Sequence, residues 1–318
     1  MSVADYHLTI AGLIDRALRL REATGAASSI GGVYNNSPNV PNFFFVDQGN
    51  ANASDTNDGR DPERPLTTIQ KGVDKSTAGR GDIVFVMPGE YPETVTVNKA
   101  QLSIIGLGGR GACSIAPTVA GAEGMQVTAN DVTLVNIGVA GDDTADYALN
   151  VHGNGTGKNG KRFRAYACKF EKPTGGTGVD CAVYLDGDAD YNTADNWFID
   201  CEFAWSKSGV LFDDSLYGFP TQQFFVDCWF HNNSTVHMGL ATVGGVVNLV
   251  VKDCVFDDDE AGTAPTDYIK VDRAGDTGII TGCRFSIATN ASADLKIAAG
   301  IMWVANGTEA GWSTARPA

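Results

Sequence analysis

The feature that most constrains the fold of this chain is a short phrase repeated five times in its second half. Each copy consists of an apolar run, a cysteine, one further residue and a phenylalanine. Successive cysteines are separated by 33, 27, 26 and 29 residues, and a period of that size is typical of stacked solenoid repeats. The five pairs are Cys168 and Phe170, Cys201 and Phe203, Cys228 and Phe230, Cys254 and Phe256, and Cys283 and Phe285.

Further segments extend this pattern. Upstream, TLVNIGV places Ile137 at the cysteine position and Val139 at the phenylalanine position, and we expect Leu107 at the cysteine position one repeat earlier. Strands this short do not pair alone, so each must pair with its equivalent in the next turn. The sequence therefore predicts an all-β fold, a single-stranded parallel β-helix. A second ladder of short apolar segments runs out of phase with the first, at 124–127, 148–151, 182–185, 209–212, 239–242, 268–271 and 300–303.

The repeated cysteines are predicted to be buried thiols that pack as small hydrophobic side chains. No two cysteines show the C-x-x-C spacing of a zinc site, and stacked side chains on parallel strands suit a disulfide poorly. We therefore interpret the cysteine and phenylalanine ladders as the structural core. Cys113 and Cys181 lie outside the ladder, and the sequence assigns them no role.

Residues 1–24 carry the pattern of an amphipathic helix. Its apolar seam advances in steps of three and four residues, which is typical of a coiled coil. An isolated helix of this length is marginal in water, so something must cover it. We expect an assembly or docking helix, with a helix folded back over its own β-helix as the alternative. The residues predicted to make this contact are Val3, Tyr6, Ile10, Leu13, Ala17 and Leu20.

The rest of the chain divides by composition and pattern. A stretch rich in glycine, serine, asparagine and proline is predicted to be a linker, and a short amphipathic helix follows, with Thr67 or Thr68 as its N-cap. The predicted units after the N-terminal helix are the linker 25–42, a cap module 43–105 that contains the short helix, the β-helix coils 106–307 and a C-terminal tail 308–318.

The cap module also carries a family resemblance. The segments DGRDPERPLTTIQKGV, GDIVFVMPGEY and LSIIGLG are similar to the opening of pectate-lyase-like right-handed parallel β-helix proteins. The resemblance implies that the short helix caps the first coil, where an open end would expose unpaired strand edges. It also implies right-handed coils, in agreement with the rule for parallel crossovers. Proteins of this type include bacteriophage tail spikes and head decorations, alongside polysaccharide lyases and hydrolases.

Aspartate-rich turns supply the carboxylates that a sugar-cleaving enzyme needs in pairs. Because aspartate is also a favoured turn residue, we interpret them as solvated loop residues. The motifs of polygalacturonase-like hydrolases are incomplete, since neither G-H-G nor R-I-K occurs. The candidate acids are Asp142, Asp143, Asp186, Asp188, Asp190, Asp213, Asp214, Asp257, Asp258, Asp259 and Glu260.

Two further kinds of site have weak signals in this sequence. His152, His231 and His237 are scattered, with no cysteine or carboxylate at metal-ligand spacing. The run DGDADYNTAD resembles a calcium loop but lacks the glycine and the glutamate of an EF-hand, so calcium binding by an acidic loop stays open. We therefore predict no catalytic residues, no metal site and no cofactor, in a protein that is not an enzyme.

Charge and hydropathy limit the classes of partner that this protein can have. A formal net charge of −15 and the lack of a basic tract argue against nucleic acid. No apolar run reaches the length of a membrane-spanning helix, and the N-terminus lacks the layout of a signal peptide. We expect a protein that is made in the cytoplasm and makes no membrane contact.

These observations lead to a functional prediction. We expect a bacteriophage structural protein on the virion surface, most simply a homotrimeric capsid decoration (cement) protein that binds the major capsid protein. The first alternative is a tail spike that depolymerises host surface polysaccharide as a lyase or glycoside hydrolase. The second is a non-catalytic β-helix that binds carbohydrate. The viral context comes from the family resemblance alone.

Overall fold

A computed structural model shows that the chain forms a parallel β-helix built from three sheets. It describes residues 41–142, 145–152, 160–171, 180–187, 193–214, 220–240, 245–257, 265–286, 295–308 and 311–313. The predicted all-β, right-handed single-stranded parallel β-helix with a short capping helix is confirmed. The predicted helix within residues 1–24, with its contact residues from Val3 to Leu20, lies outside the described residues.

The sheets are named A, B and C in the order in which the chain enters them. Sheet A contains β1 (Phe43–Val46), β2 (Ile83–Val86), β5 (Ser103–Gly106), β8 (Thr133–Val135), β11 (Arg164–Tyr166), β14 (Ala194–Ile199), β17 (Thr221–Val226), β20 (Leu249–Lys252), β23 (Gly278–Thr281) and β26 (Ile301–Val304). Sheet B contains β3 (Gly89–Tyr91), β6 (Cys113–Ile115), β9 (Ile137–Ala140), β12 (Lys169–Glu171), β15 (Glu202–Ala204), β18 (Trp229–His231), β21 (Val255–Asp257), β24 (Arg284–Phe285), β27 (Asn306–Thr308) and β28 (Gly311–Ser313). Sheet C contains β4 (Val95–Val97), β7 (Met125–Val127), β10 (Tyr147–His152), β13 (Cys181–Gly187), β16 (Ser208–Asp214), β19 (Val236–Leu240), β22 (Asp267–Val271) and β25 (Leu295–Ile297).

Each strand pairs in parallel with the equivalent strand of the next turn. In sheet B, for example, Phe170 is the register partner of Phe203, and Phe203 is the partner of Phe230. Among the described residues the antiparallel pair β27–β28 at the end of the solenoid departs from this rule. Because the pairing stays in register, a position that points inward in one turn also points inward in the next.

A sharp corner joins sheet A to sheet B, and its residues explain the aspartate that precedes several of the cysteines. Asp200, Asp227 and Asp253 adopt φ values of 52°, 54° and 54°, a left-handed conformation that Asp and Asn tolerate better than most residues. Each corner N–H donates to the end of the neighbouring sheet A strand, as Asp200 does to the Val226 carbonyl at 3.0 Å. The corner therefore turns the chain within two residues and keeps adjacent turns in register.

The repeated cysteines and phenylalanines fill the interior at the start of each sheet B strand. All five phenylalanines and all five cysteines are at most 1% exposed, and the cysteines are free thiols. Phe203 stacks on Phe230 with ring centroids 4.5 Å apart, and Phe230 on Phe256 at 4.7 Å. Cys228 donates to the Phe198 carbonyl at 3.3 Å. Burial raises the pKa of the Cys168, Cys201 and Cys254 thiols, so these residues act as core side chains rather than as nucleophiles.

Two assignments from the sequence pattern are wrong, and so is the placement of Cys113 outside the ladder. Leu107 is 43% exposed, and the cysteine position of its turn belongs to Cys113, the register partner of Ile137. The cause is a longer connection, residues 107–112, between β5 and β6. The segment 300–303 lies in sheet A as part of β26 rather than in sheet C, whose strand in that turn is β25.

A short helix, α1 (Ile69–Lys75), covers the first turn of the solenoid. The Thr68 hydroxyl accepts the N–H of Lys71 at 3.3 Å, so Thr68 is the N-cap. The Glu93 carboxylate accepts two more free N–H groups of the first turn, from Ile69 at 2.7 Å and Gln70 at 2.9 Å. Ile69 and Val73 are buried against the solenoid end, which shields the edge of the first coil. No helix within the described ranges is long and apolar enough to cross a membrane.

Candidate functional site

The connections on both sides of sheet C are the longest in several turns. Strand β12 ends at Glu171 and β13 begins at Cys181, and β13 ends at Gly187 before β14 begins at Ala194. By contrast, two residues separate β14 from β15 at the corner between sheets A and B. Functional side chains concentrate on loops and strand ends that a rigid scaffold positions. The outer face of sheet C is therefore the first candidate for a functional surface.

Three adjacent strands of sheet C carry mainly polar residues on their outer face and apolar residues on their inner face. Leu149, Val183 and Val210 are register partners with fully buried side chains that face the core. The next positions along these strands are Asn150, Tyr184 and Leu211, which face outward. Because side chains alternate along a strand, His152, Asp186 and Asp213 also share the outer face, as a second row.

Asp186 and Asp213 form a carboxylate pair on adjacent strands. The two residues are register partners in the pairing of β13 with β16. Neighbouring strands lie about 4.8 Å apart, which places the backbones of partner positions about 5 Å from each other. Carboxyl groups carried on such neighbouring positions can reach the same bond of a bound sugar.

Each carboxylate of this pair has its own hydrogen-bond partner. Nδ1 of His152 contacts the Asp186 carboxylate, and the His152 side chain remains 31% exposed against 16% for Asp186. The Tyr184 hydroxyl donates to the Asp213 carboxylate. Behind the pair, the buried Thr193 hydroxyl donates to the backbone carbonyls of Val151 and Asp186, the first at 3.3 Å. These contacts fix the orientation of the strand ends that carry the carboxylates.

Two stacked tyrosines form an aromatic surface beside the carboxylates. The rings of Tyr147 and Tyr184 have centroids 4.8 Å apart and planes 17° from parallel. They pack with Cys181, Leu211 and Val236 in a small apolar cluster that is separate from the main core. Burial, with smaller contributions from Glu123 and Asp146, raises the pKa of Tyr147 to about 12. Burial and the hydrogen bond to Asp213 raise the pKa of Tyr184 as well, so both hydroxyls stay protonated at neutral pH.

Glu123 adds a third acid to this surface. Burial raises its pKa, the charge of Asp146 acts in the same direction, and a hydrogen bond from Gln126 and the nearby His152 oppose the shift. The Gln126 amide donates to Glu123 at 2.5 Å. A carboxyl group whose pKa is raised by burial can serve as a general acid.

The structure separates the candidate acids that the sequence offered. It brings together Asp186 and Asp213, whereas Asp142 accepts the backbone N–H of Gly121 at 2.9 Å in a turn. Asp257 lies on sheet B and accepts the Ser286 hydroxyl at 2.5 Å. The side chains that lie outside the described residues are those of Asp143, Asp188, Asp190, Asp214, Asp258, Asp259 and Glu260.

Sequence reasoning missed four members of this surface: Glu123, Tyr147, His152 and Tyr184. His152 is not isolated, because it lies one turn before Asp186 and two turns before Asp213. These three residues are separated by 34 and 27 residues, close to the 33 and 27 that separate the first three cysteines of the repeat. The repeat period was therefore the signal that could have grouped them.

A second polar cluster lies on the outer face of sheet B and is organised differently. Glu202 contacts His231 at 3.2 Å, Lys169 at 3.8 Å and Arg110 at 3.9 Å. Burial raises the pKa of Glu202, but the His231 hydrogen bond and the two cations outweigh it, so the net shift is downward. The Trp229 ring stacks on His231 with centroids 3.8 Å apart. In this cluster one partly buried carboxylate contacts two cations and a histidine from neighbouring turns. These contacts stabilise the register of the turns.

Metal binding has no support among the described side chains. No group of three or more His, Cys, Asp or Glu residues there has an arrangement that could hold a metal ion. Whether the acidic run from Asp186 binds calcium stays a prediction, because most of that run lies outside the described residues.

Comparison with known proteins establishes the fold. No family model and no curated protein sequence matches the chain. Among solved structures, a pectin methylesterase from Aspergillus niger is similar with a TM-score of 0.52 and 15% identity, over 83% of each chain. The Escherichia coli protein YbhC is similar with a TM-score of 0.53 and 13% identity, over 81% of this chain and 75% of its own. A protein from Geobacillus virus E2, ORF18, matches with a TM-score of 0.44, which is too low to bear on this chain.

These comparisons correct the expectation that the chain is not an enzyme. The structures that share its fold over about four fifths of its length include several pectin methylesterases, from Aspergillus niger and from the rice weevil among others. Pectin methylesterases are carbohydrate esterases, a class of enzyme distinct from the lyases and glycoside hydrolases named as the alternative in the sequence analysis. At 12–15% identity the likeness shows the parallel β-helix fold and leaves the activity to be argued from the site.

Proposed function

We propose that this protein is a carbohydrate-active β-helix that binds a polysaccharide along the outer face of sheet C and hydrolyses it at Asp186 and Asp213. The observation that carries the proposal is the pairing of these two carboxylates on adjacent strands, beside the Tyr147–Tyr184 stack. Strand spacing puts the backbones of the two residues about 5 Å apart, which allows their carboxyl groups the separation that retaining glycosidases use. The elongated, one-sided sheet suits a chain-like substrate better than a small molecule.

The contacts suggest a role for each residue. Asp186, oriented by His152, is the carboxylate that attacks the sugar carbon. Asp213, held by the Tyr184 hydroxyl, gives a proton to the leaving oxygen and takes one from the incoming water. The faces of sugar rings are apolar, so the tyrosine stack offers them a flat surface. Glu123 binds sugar hydroxyls from the other end of the stack.

Hydrolysis of an ester on the polysaccharide is the second candidate reaction. It is favoured by the fold that this chain shares with pectin methylesterases over more than three quarters of its length. One of those pectin methylesterases was solved with a hexasaccharide. The same pair of carboxylates would serve, since one attacks the ester carbonyl and the other handles the proton. The two reactions differ in their products: a new reducing end in one case, a released alcohol or acid in the other.

The biological setting follows from the family resemblance of the cap module. Among phage proteins of that type, a glycan-processing surface fits a tail spike that acts on host polysaccharide better than a capsid decoration protein. We therefore place the tail-spike alternative ahead of the decoration and cement role, and virion attachment and trimer formation stay predictions.

The test uses the full chain with bacterial capsular and O-antigen polysaccharides and with methyl- and acetyl-esterified pectins. We expect new reducing ends from at least one glycan, or release of methanol or acetate, and loss of either product in Asp213→Asn. The matched control is Asp257→Asn, which removes an outward carboxylate from sheet B and should keep full activity. Absence of all these products across the panel, or full activity in Asp213→Asn, would overturn the proposal.

A further inference from the structure

The outer face of sheet A is mainly apolar and aromatic, with Ser103, Thr133 and Arg164 as polar residues in the same rows. Val84, Phe198 and Phe225 face the core from β2, β14 and β17, and their neighbours along each strand point outward. Two outward ring pairs stack across strands: Phe45 on Phe85 at 5.6 Å between centroids, and Trp197 on Phe224 at 4.0 Å. Outward residues of this kind include Phe45, Phe85, Tyr166, Trp197, Ile199 and Phe224.

Such a face is unusual for a surface in contact with water. Parallel sheets whose strands read as nearly continuous apolar runs are covered on both sides, and contiguous apolar patches of this size mark interaction surfaces. The strands of sheet A read FFFV in β1 and IVFV in β2. At their C-terminal ends, β14 reads WFI and β17 reads FFV. Something is therefore expected to cover this face.

The aromatic part of the face has a definite length. Outward aromatic residues lie on β1, β2, β11, β14 and β17, and the outward residues of β5 and β8 between them include the apolar Ile105 and Val135. From β1 to β17 there are seven strands with six spacings of about 4.8 Å, or about 29 Å in total. Beyond β17 the row of Phe224 continues with Val250, Ile279 and Met302, which are apolar but not aromatic, and the row beside it carries Lys252 and Thr281. An element that covers the aromatic residues should therefore be about 29 Å long.

The chain itself contains a segment that matches this length. The amphipathic pattern at residues 3–20 covers 18 residues, and an α-helix of 18 residues is about 27 Å long. Its partner surface must be apolar, because a helix of this size is marginal in water. The linker 25–42 connects it to Phe43 at the start of β1, the strand at which the aromatic face begins.

We propose that residues 3–20 form a helix that lies along the outer face of sheet A of the same chain, from β1 to β17, with its apolar seam on the outward aromatic residues. A linker of 18 residues reaches up to about 60 Å, more than the face requires. A tethered segment has an effective concentration in the millimolar range, so it outcompetes the same helix of a second copy. This assignment selects the folded-back alternative, and it leaves sheet C free.

Hydrogen exchange of the full chain, followed by mass spectrometry, tests the proposal. We expect amides of residues 3–20 to exchange at least 100-fold more slowly than an unstructured peptide, at any protein concentration at which the chain is monomeric. Trp197→Asp, which places a charge in the middle of the face, and Ile10→Asp, which places one on the seam, should each abolish this protection. Met302→Asp, on the same sheet but beyond the predicted end of the helix, should leave it unchanged.

A crosslinking experiment separates the chain's own helix from that of a second copy. A photoreactive residue at position 10 of the full chain should crosslink to the peptide that contains Trp197. In an equal mixture of ¹⁴N- and ¹⁵N-labelled protein, the two peptides of every crosslinked pair should carry the same isotope. Unprotected amides in the wild-type chain, protection retained in both Asp variants, or mixed-isotope crosslinks would each overturn the proposal. Far-UV circular dichroism confirms that each variant keeps its β-helix.

Discussion

The outer faces of sheets A and C come from the same repeats, yet they have opposite characters. Sheet A presents stacked aromatic residues such as Trp197 and Phe224. Sheet C presents His152, Asp186 and Asp213 beside two tyrosines. The inward residues of both sheets are buried and mostly apolar. The comparison teaches that the inward positions determine the solenoid, whereas each outer face is free to specialise.

The connections explain why function falls on sheet C. Sheet A continues into sheet B through a tight corner, as at Asp200 and Asp227, and this corner leaves little room for insertions. Sheet C has longer connections at both of its ends in the turns of β10 and β13. Loops can change length and composition without disturbing the register, so a substrate surface between two rows of loops can evolve while the coil stays fixed.

The largest expected effect is the separation of activity from stability at Asp186. Asp186→Asn keeps the shape of the side chain but removes the charge that pairs with His152. We expect hydrolysis to fall by about 1,000-fold or more, while the free energy of unfolding changes by about 1 kcal/mol or less. Product release and urea unfolding measured on the same preparation check this. A comparable loss of both would make Asp186 a structural residue and remove the contrast with sheet A.

On sheet A the opposite result is expected. Phe224→Ala removes the ring that stacks on Trp197 at 4.0 Å, and we expect the free energy of unfolding to fall by about 2–3 kcal/mol, as for a largely covered aromatic side chain. Turnover per folded molecule should stay at the wild-type value. Urea denaturation gives the first quantity and initial rates the second. Phe224→Leu, which keeps much of the apolar area, should show a clearly smaller loss.

How much of this could be predicted from the sequence depends on which side chains carried a repeated signal. The Cys-x-Phe phrase marks inward positions directly after a corner, so the β-helix and its strand stacking followed from residues such as Cys201 and Phe203. Thr68 as N-cap followed from ordinary capping preferences. Leu107 failed because a longer connection between β5 and β6 shifts the pattern, and loop length is not visible in an apolar ladder.

The candidate site was harder to predict, because it depends on the register between turns. Asp186 and Asp213 could be named as acids, but aspartate is equally at home in solvated turns. Their pairing depends on how the chain between β13 and β16 returns to the same row. Tyr184 lies within a segment of the second apolar ladder and Tyr147 lies directly before another, and only the strand pairing shows that their rings meet outside the main core.

The next effect in size distinguishes the tyrosine hydroxyl from the tyrosine ring. Tyr184→Phe removes the hydrogen bond to Asp213 and keeps the stack on Tyr147. We expect turnover to fall about tenfold, with little change in KM, because a loss of about 1.4 kcal/mol at the reacting carboxylate corresponds to that factor. Tyr147→Ala removes ring area instead and should raise KM more than it lowers kcat. Steady-state kinetics on a single oligosaccharide would contradict the assignment if the two variants behaved alike.

The smallest effect concerns sheet B, whose polar residues resemble a site but are expected to act in stability alone. Glu202 has a lowered pKa because His231, Lys169 and Arg110 outweigh the effect of burial. A carboxylate with a lowered pKa in the folded state stabilises the protein above its ordinary pKa and loses this contribution as the pH falls through the folded value. Glu202→Gln should therefore lower the free energy of unfolding by about 1 kcal/mol at pH 7, and the difference from wild type should shrink below pH 4 or so. Urea unfolding at several pH values checks the trend, and turnover at pH 7 should be unchanged. A loss of activity here would move the functional surface from sheet C toward sheet B.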